Sequence, residues 1–215
     1  MVPEARVSSA SGEDRAIDAI AGVKMAGWRS FFAIELSAEI AGGVRRIQRA
    51  LRERAPGVRW VRPEGIHLTL TFLGEVEPDR IETIMHKAEE TIHNLGSFAV
   101  EIRGCGGFPT AQNPRVIWIG VEDPSGRLTQ MQARVATGMA ALGFIEERRG
   151  YTPHLTVGRV RSGKGRKTLS QALDVIKGSD LGEMEVREVI LFRSHLKPTG
   201  AEYTKLGSFP LEAAP

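Results

Sequence analysis

The chain has 215 residues, 41% hydrophobic, 26% charged and 6% aromatic, with a formal net charge of +3. That is enough chain for one domain with a substantial buried core, and the balance is that of a globular chain. One cysteine excludes an internal disulfide framework or a cysteine-built zinc finger and suits a reducing cytoplasm, the expected location; no apolar run approaches the roughly 20 residues that span a bilayer, so no membrane partner is expected.

Residues 1–27 are polar, lack strong periodicity and carry no compact apolar stretch of the secretory type. They are expected to be a poorly ordered extension, with 28–215 a single domain. A strand is expected over 31–36, after which Ser37 is placed to cap a helix carrying Ile40, Val44, Ile47 and Leu51 at helical spacing. Pro56-Gly57 stops that helix, and strands over 58–61 and 66–73 flank a turn at Pro63-Glu64-Gly65. A helix over 78–93 leads to strands over 98–103 and 115–121, separated by a Gly/Pro-rich loop over 104–114. A similar order then returns: a helix over 125–142, a strand within 152–160, a helix over 168–176, and strands over 185–194 and 203–206. Several neighbouring strands are joined by short turns, which suits antiparallel pairing and an α+β fold rather than a doubly wound parallel sheet.

Charge is unevenly placed. Between Arg29 and Arg62 eight arginines face three glutamates, and between Arg148 and Lys167 seven basic residues occur with no acid. The two segments can converge on one polyanion-binding face, although Arg45, Arg46, Arg49 and Arg52 equally suit the solvated side of a helix. The second segment surrounds a candidate catalytic histidine.

The sharpest signal is a doublet: His67-Leu68-Thr69-Leu70 returns as His154-Leu155-Thr156-Val157, each in a strand-like setting. Side chains alternate along a strand, so His67 and Thr69 share one face while Leu68, Leu70 and Phe72 share the other. His154 and Thr156 are likewise set apart from Leu155 and Val157. If the leucines are core, each strand presents an imidazole beside a hydroxyl, and two such strands about an approximate twofold place two His and two Thr around one cleft. A phosphoryl group fits that set: hydroxyls and protonated imidazole donate to its oxygens, and one imidazole takes a proton while the other gives one. A single His-Leu-Thr would be read as structural; two copies in the same apolar phase point to chemistry. No metal-ligand spacing, G-x-S-x-G elbow or G-x-x-x-x-G-K-[ST] phosphate loop is present, so neither metal nor cofactor is expected.

These residues resemble the 2H phosphoesterase superfamily and, within it, the RNA 2′,3′-cyclic phosphodiesterases also called 2′-5′ RNA ligases. The resemblance extends through Arg29-Ser30-Phe31-Phe32-Ala33-Ile34, Arg59-Trp60-Val61, the first motif as far as Gly74, and Pro114-Arg115-Val116-Ile117-Trp118-Ile119-Gly120. It continues through Tyr151-Thr152-Pro153 and the second motif to Arg159, then Leu191-Phe192-Arg193-Ser194, Pro198, Gly200 and Tyr203. It departs at the N-terminal extension and at Gly65, where members often carry Asn. The resemblance implies two pseudo-symmetric lobes with antiparallel sheets lining a central cleft and helices outside. It implies metal-independent hydrolysis of RNA 2′,3′-cyclic phosphate ends to 2′-phosphates, with 2′-5′ ligation as the reverse reaction. It makes His67 the general acid and His154 the general base, with Thr69, Thr156 and Arg159 on the phosphate. The expected partner is RNA with a cyclic phosphate terminus, tRNA fragments among the candidates, and the protein is expected to act as a monomer. A non-catalytic RNA or nucleotide-binding module and a phosphodiesterase for a small nucleotide are the alternatives.

Arg149, Tyr151 and Phe108 are candidate RNA contacts, Phe108 as a stacking surface ahead of Phe32, Trp60 and Trp118. His86 and His93 read as helix surface, and Cys105 as a small loop residue rather than a nucleophile.

Overall fold

The computed structural model describes residues 27–145, 150–198 and 200–213; residues 1–26 of the expected extension lie outside them. The strands are β1 (Trp28–Glu35), β2 (Val58–Trp60), β3 (His67–Val76), β4 (Phe98–Phe108), β5 (Val116–Glu122), β6 (His154–Val160), β7 (Asp180–Val186), β8 (Glu188–Lys197) and β9 (Gly200–Pro210). The helices are α1 (Ala38–Arg52), α2 (Ile81–Ile92), α3 (Arg127–Ala140) and α4 (Arg166–Ile176). At the start of α1 the Ser37 hydroxyl accepts from the Ile40 amide at 3.3 Å, satisfying one of the free donors of the first turn. The helix buries Ile40, Val44, Ile47 and Leu51 as their spacing predicts. Its arginines 45, 46, 49 and 52 are exposed on the outer side, so they form a solvated helix face.

Among the described residues the strands form one antiparallel sheet in the order β7-β4-β5-β6-β3-β1-β8-β9, with β2 paired to β6 beside this path. The order reads alike from the centre outwards. Each His-x-Thr strand, β3 or β6, pairs with the strand that precedes it across a helix, β1 or β5. The next places are exchanged: β4, which follows β3 in the chain, pairs in the second lobe, and β8, which follows β6, pairs in the first. This exchange interlocks the lobes, and one apolar cluster runs beneath both, from Phe32, Val44 and Leu68 to Leu155, Leu128 and Leu173. The α+β, two-lobed expectation holds, with the two sheets fused into one curled surface and the helices on its leucine face.

Gln48 is a polar residue buried against that core, as are Ser30 and Ser97 elsewhere among the described residues. Only 2% exposed, Gln48 donates from Nε2 to the Val61 carbonyl at 2.8 Å and the Val157 carbonyl at 2.9 Å. A buried amide is tolerated because its donors are paired. It ties α1 to the strand that carries the second motif.

Four local expectations change. The segment 104–114 is not loop throughout, because β4 continues to Phe108. Gly106 lies in that strand, where an added Cβ would stand 2.4 Å from Trp118 Cζ2, so this glycine makes room for an indole rather than a turn. The strand expected over 185–194 breaks at Arg187: β7 pairs with β4 in the second lobe and β8 with β1 in the first, so the chain changes lobe there. β7 begins earlier, at Asp180, and lacks an apolar signature because only Met184 and Val186 of it are buried. Finally, Phe72 leaves the leucine face. The pairing with β1 slips between Ala33↔Thr69 and Phe32↔Thr71, with Leu70 as the extra residue, so Phe72 comes opposite Phe31 and is 54% exposed while Leu73 is buried.

Candidate active site

The two lobes meet where β3 and β6 pair antiparallel at Leu68↔Leu155. Both leucines are fully buried on the helix side. The alternation of a pleated strand therefore puts His67, Thr69, His154 and Thr156 together on the opposite, concave face, each partly exposed. Antiparallel register through this pair sets His67 across from Thr156 and Thr69 across from His154. Facing residues of paired strands stand about 5 Å apart at Cα, so the four groups form a two-by-two array on the scale of one phosphate. Among the described residues neither threonine hydroxyl has a hydrogen-bond partner, which leaves both to donate to a ligand.

Both imidazoles are oriented by the same local device. His154 Nδ1 lies 2.8 Å from the Thr152 carbonyl oxygen, and His67 hydrogen-bonds the Gly65 carbonyl, in each case two residues back. A carbonyl can only accept, so the His154 ring donates from Nδ1 and keeps Nε2 for the cleft.

Their surroundings differ. The His67 ring stacks on Phe31 at 4.7 Å, meets the edge of Tyr203 at 5.0 Å and lies 6.1 Å from Phe192. This aromatic wall strips water from the ring, and burial pushes its pKa down to about 4 against the weaker upward effect of the Gly65 carbonyl. Gly65 helps to build the wall, since an added Cβ would come 3.2 Å from Tyr203 Cε2. Gly65 thus leaves room for Tyr203 to close over His67. Among the described residues His154 has one aromatic neighbour, Phe108, edge-on at 5.1 Å.

Arg159 is exposed on β6 and faces Arg59 of β2. Burial raises the Tyr203 pKa, and the charges of Arg159 and Arg29 oppose that rise, which places both guanidiniums within electrostatic reach of the His67 wall. Tyr151, a candidate RNA contact, donates its hydroxyl to the Thr69 carbonyl at 3.1 Å, tying the segment before β6 to β3. Burial raises its pKa further. Phe32 belongs to the core, while Trp118 lies on the concave side opposite Thr156, its Nε1 buried without a partner. Arg149 lies outside the described residues. Cys105 is buried in β4 with its thiol pushed up to about 11, which does not suit a nucleophile at neutral pH. No three His, Cys, Asp or Glu side chains converge among the described residues. A groove of about 700 Å³ between α2 and α3, lined by Lys87, Thr91, Gln130, Arg134 and Thr137 among others, includes neither motif histidine.

Sequence reasoning missed Phe31, Phe192 and Tyr203 as the wall of His67. Nothing in their local pattern marks them, because they come from three strands that meet only in the sheet.

An interlocked two-lobed sheet with a His-x-Thr pair from each lobe at its centre defines a phosphoesterase of the two-histidine class. The family model described as LigT like Phosphoesterase matches the chain twice, over residues 34–118 and 119–203, one match for each copy of the motif. A Methanothermobacter thermautotrophicus protein named RNA 2′,3′-cyclic phosphodiesterase is 36% identical over 183 residues, 85% of this chain and 98% of that protein. A crystal structure of a Thermus thermophilus protein superposes with a TM-score of 0.73 at 26% identity, covering 86% of this chain and 98% of the other. Escherichia coli LigT in complex with 3′-AMP gives a TM-score of 0.69 at 25% identity, with coverages of 86% and 98%. The chain belongs to the LigT-like phosphoesterase family.

Proposed function

We propose that the protein hydrolyses RNA 2′,3′-cyclic phosphate ends to 2′-phosphates without a metal ion, and that 2′-5′ ligation is the reverse reaction. The observation that carries this reading is the juxtaposition of two His-x-Thr pairs on one face, with two unengaged hydroxyls and oriented imidazoles. The names of the relatives supply the substrate class. His154 Nε2 takes a proton from water as the water oxygen bonds to phosphorus. The P–O3′ bond breaks, and O3′ leaves with the proton carried by His67. Thr69, Thr156 and Arg159 bind the non-bridging oxygens, where charge builds up in the transition state.

The depressed pKa of His67 has a consequence for its role. In the empty site the ring is neutral at pH 7, so an acid role requires the substrate anion to raise its proton affinity. The same observation favours a second assignment, in which His67 is the base and His154 the acid. A 3′-bridging sulfur substrate separates the two, because a thiolate leaves without protonation. Under the first assignment His67→Ala loses little on that substrate and His154→Ala loses its full effect; under the second the pattern reverses.

The test is an oligonucleotide ending in a 2′,3′-cyclic phosphate, assayed in excess EDTA with the product identified by isomer. The wild type is expected to give the 2′-phosphate, and His67→Ala and His154→Ala each to lose at least about 10²-fold in rate. A folded variant of either histidine with near-wild-type turnover removes that residue from the mechanism. Tight binding without turnover supports the binding-module alternative, and equal kcat/KM for mononucleotide and oligonucleotide supports a small-nucleotide substrate.

A further inference from the structure

We propose that Arg59 binds the phosphodiester joining the terminal nucleotide to the one before it, so that the site favours oligonucleotide ends over mononucleotides; this rests on the reading of the concave face as an RNA cyclic phosphodiesterase site. A surface arginine is not by itself a subsite. Arg59 differs because of what stands across from it. The pairing of β5 with β6 slips between Trp118↔Thr156 and Ile117↔Gly158, with Val157 as the extra residue. Plain alternation from Thr156 would put Gly158 on the concave face and turn Arg159 inward. After the slip Gly158 lies on the core side, where an added Cβ would stand 2.8 Å from Val58 Cγ1 and 3.2 Å from Trp60 Cε3. Val58 and Trp60 pack against the apolar cluster. Arg59 and Arg159 therefore share the concave face, directly paired and both exposed.

Like charges opposite one another in a sheet are destabilising, and an anion between them removes the cost. Among the described residues no carboxylate forms an ion pair with either guanidinium. The two arginines are not equivalent. The charge of Arg159 reaches Tyr203 on the wall of His67, which suits its place on the reacting phosphate. Arg59 donates from Nη2 to the Pro198 carbonyl at 3.2 Å, which holds it beside the end of β8 and leaves most of its five N–H donors for a ligand. A cyclic phosphate offers two non-bridging oxygens, and Thr69, Thr156 and Arg159 already meet them. The arginine pair also stands up to about 10 Å along β6 from Thr156, outside the array around the reacting group. RNA carries its next negative charge one nucleotide inward. A guanidinium binds that phosphate without regard to base, which suits an enzyme acting on ends of varied sequence.

The test measures, by calorimetry over a range of salt concentrations, how three product-like ligands bind the wild type and R59Q. They are adenosine 2′-monophosphate, the adenosine dinucleotide ending in a 2′-phosphate, and the same dinucleotide with an uncharged methylphosphonate linkage. The wild type is expected to bind the charged dinucleotide most tightly. R59Q is expected to weaken that ligand selectively, roughly 5- to 50-fold, and to lower the slope of log K against log salt by about 0.7, the share of one phosphate contact. Equal weakening of all three ligands overturns the proposal and moves Arg59 to the terminal phosphate. An unweakened charged dinucleotide, an unchanged slope, or a wild type indifferent to the charge of the linkage overturns it as well. Because binding is read without turnover, the result stands apart from the wild-type cyclic-phosphate assay, which alone tests the reaction assigned to the site.

Discussion

Protonating His67 should destabilise the fold by an amount set by its aromatic wall. The unfolded chain binds a proton on this ring with a pKa near 6.5, whereas the folded protein does so only below about 4. Between these values the unfolded state binds more protons, so stability is complete above about pH 6.5 and falls as the pH is lowered toward 4. The loss across that window is on the order of 3 kcal/mol. Urea unfolding of the wild type and of His67→Gln at several pH values isolates the contribution of this group, because the other titrating groups are shared and cancel in the difference. The variant's curve should be flatter by about that amount, whatever constant offset the substitution adds. In a histidine NMR titration the His67 midpoint should lie near 4 and rise in Phe192→Ala, where water regains access to the ring. Parallel stability curves for the two proteins, or a wild-type midpoint near 6.5, would refute the claim that the wall desolvates His67.

If His67 becomes charged only against a bound anion, phosphate binding at pH 7 should take up protons, measurable as a dependence of the calorimetric heat on the buffer's ionisation enthalpy. Gln48→Ala should cost about 2–3 kcal/mol in urea unfolding, because two buried hydrogen bonds vanish together, although Val157's carbonyl still accepts from the Val61 amide. Tyr151→Phe removes the donor to Thr69 and should cost about 1 kcal/mol with the fold retained. Gly106→Ala pushes a methyl into the indole of Trp118 and should cost roughly 1–3 kcal/mol, with a shift in tryptophan emission as the ring is displaced. Unchanged stability and emission in that variant would show that the indole does not lie over Gly106.

The elements readable along the chain were those whose signal is local. Ser37 with Ile40, Val44, Ile47 and Leu51 specifies α1 because a cap and a helical period are written within fifteen residues. The twin His-x-Thr segments announced both the chemistry and the face it occupies, since strand alternation follows from the backbone alone. Where the expectation failed, a distant strand intervened. The partnership with β1 turned Phe72 outward, and pairing with Trp118 of β5 made Gly106 part of a strand. Arg187 became a break because its two sides pair in different lobes.

By itself the sequence determined which atoms are available to a phosphate: two imidazoles and two hydroxyls in matching phase, with leucines behind them. Only the tertiary structure decided that these atoms share one surface, through a single backbone pairing of Leu68 with Leu155. It also made the two histidines unequal, through Phe31, Phe192 and Tyr203 closing on one of them. Desolvation is a property of everything that surrounds a group, and the neighbours that surround His67 come from β1, β8 and β9, all distant from it in the chain, so no local pattern could report it.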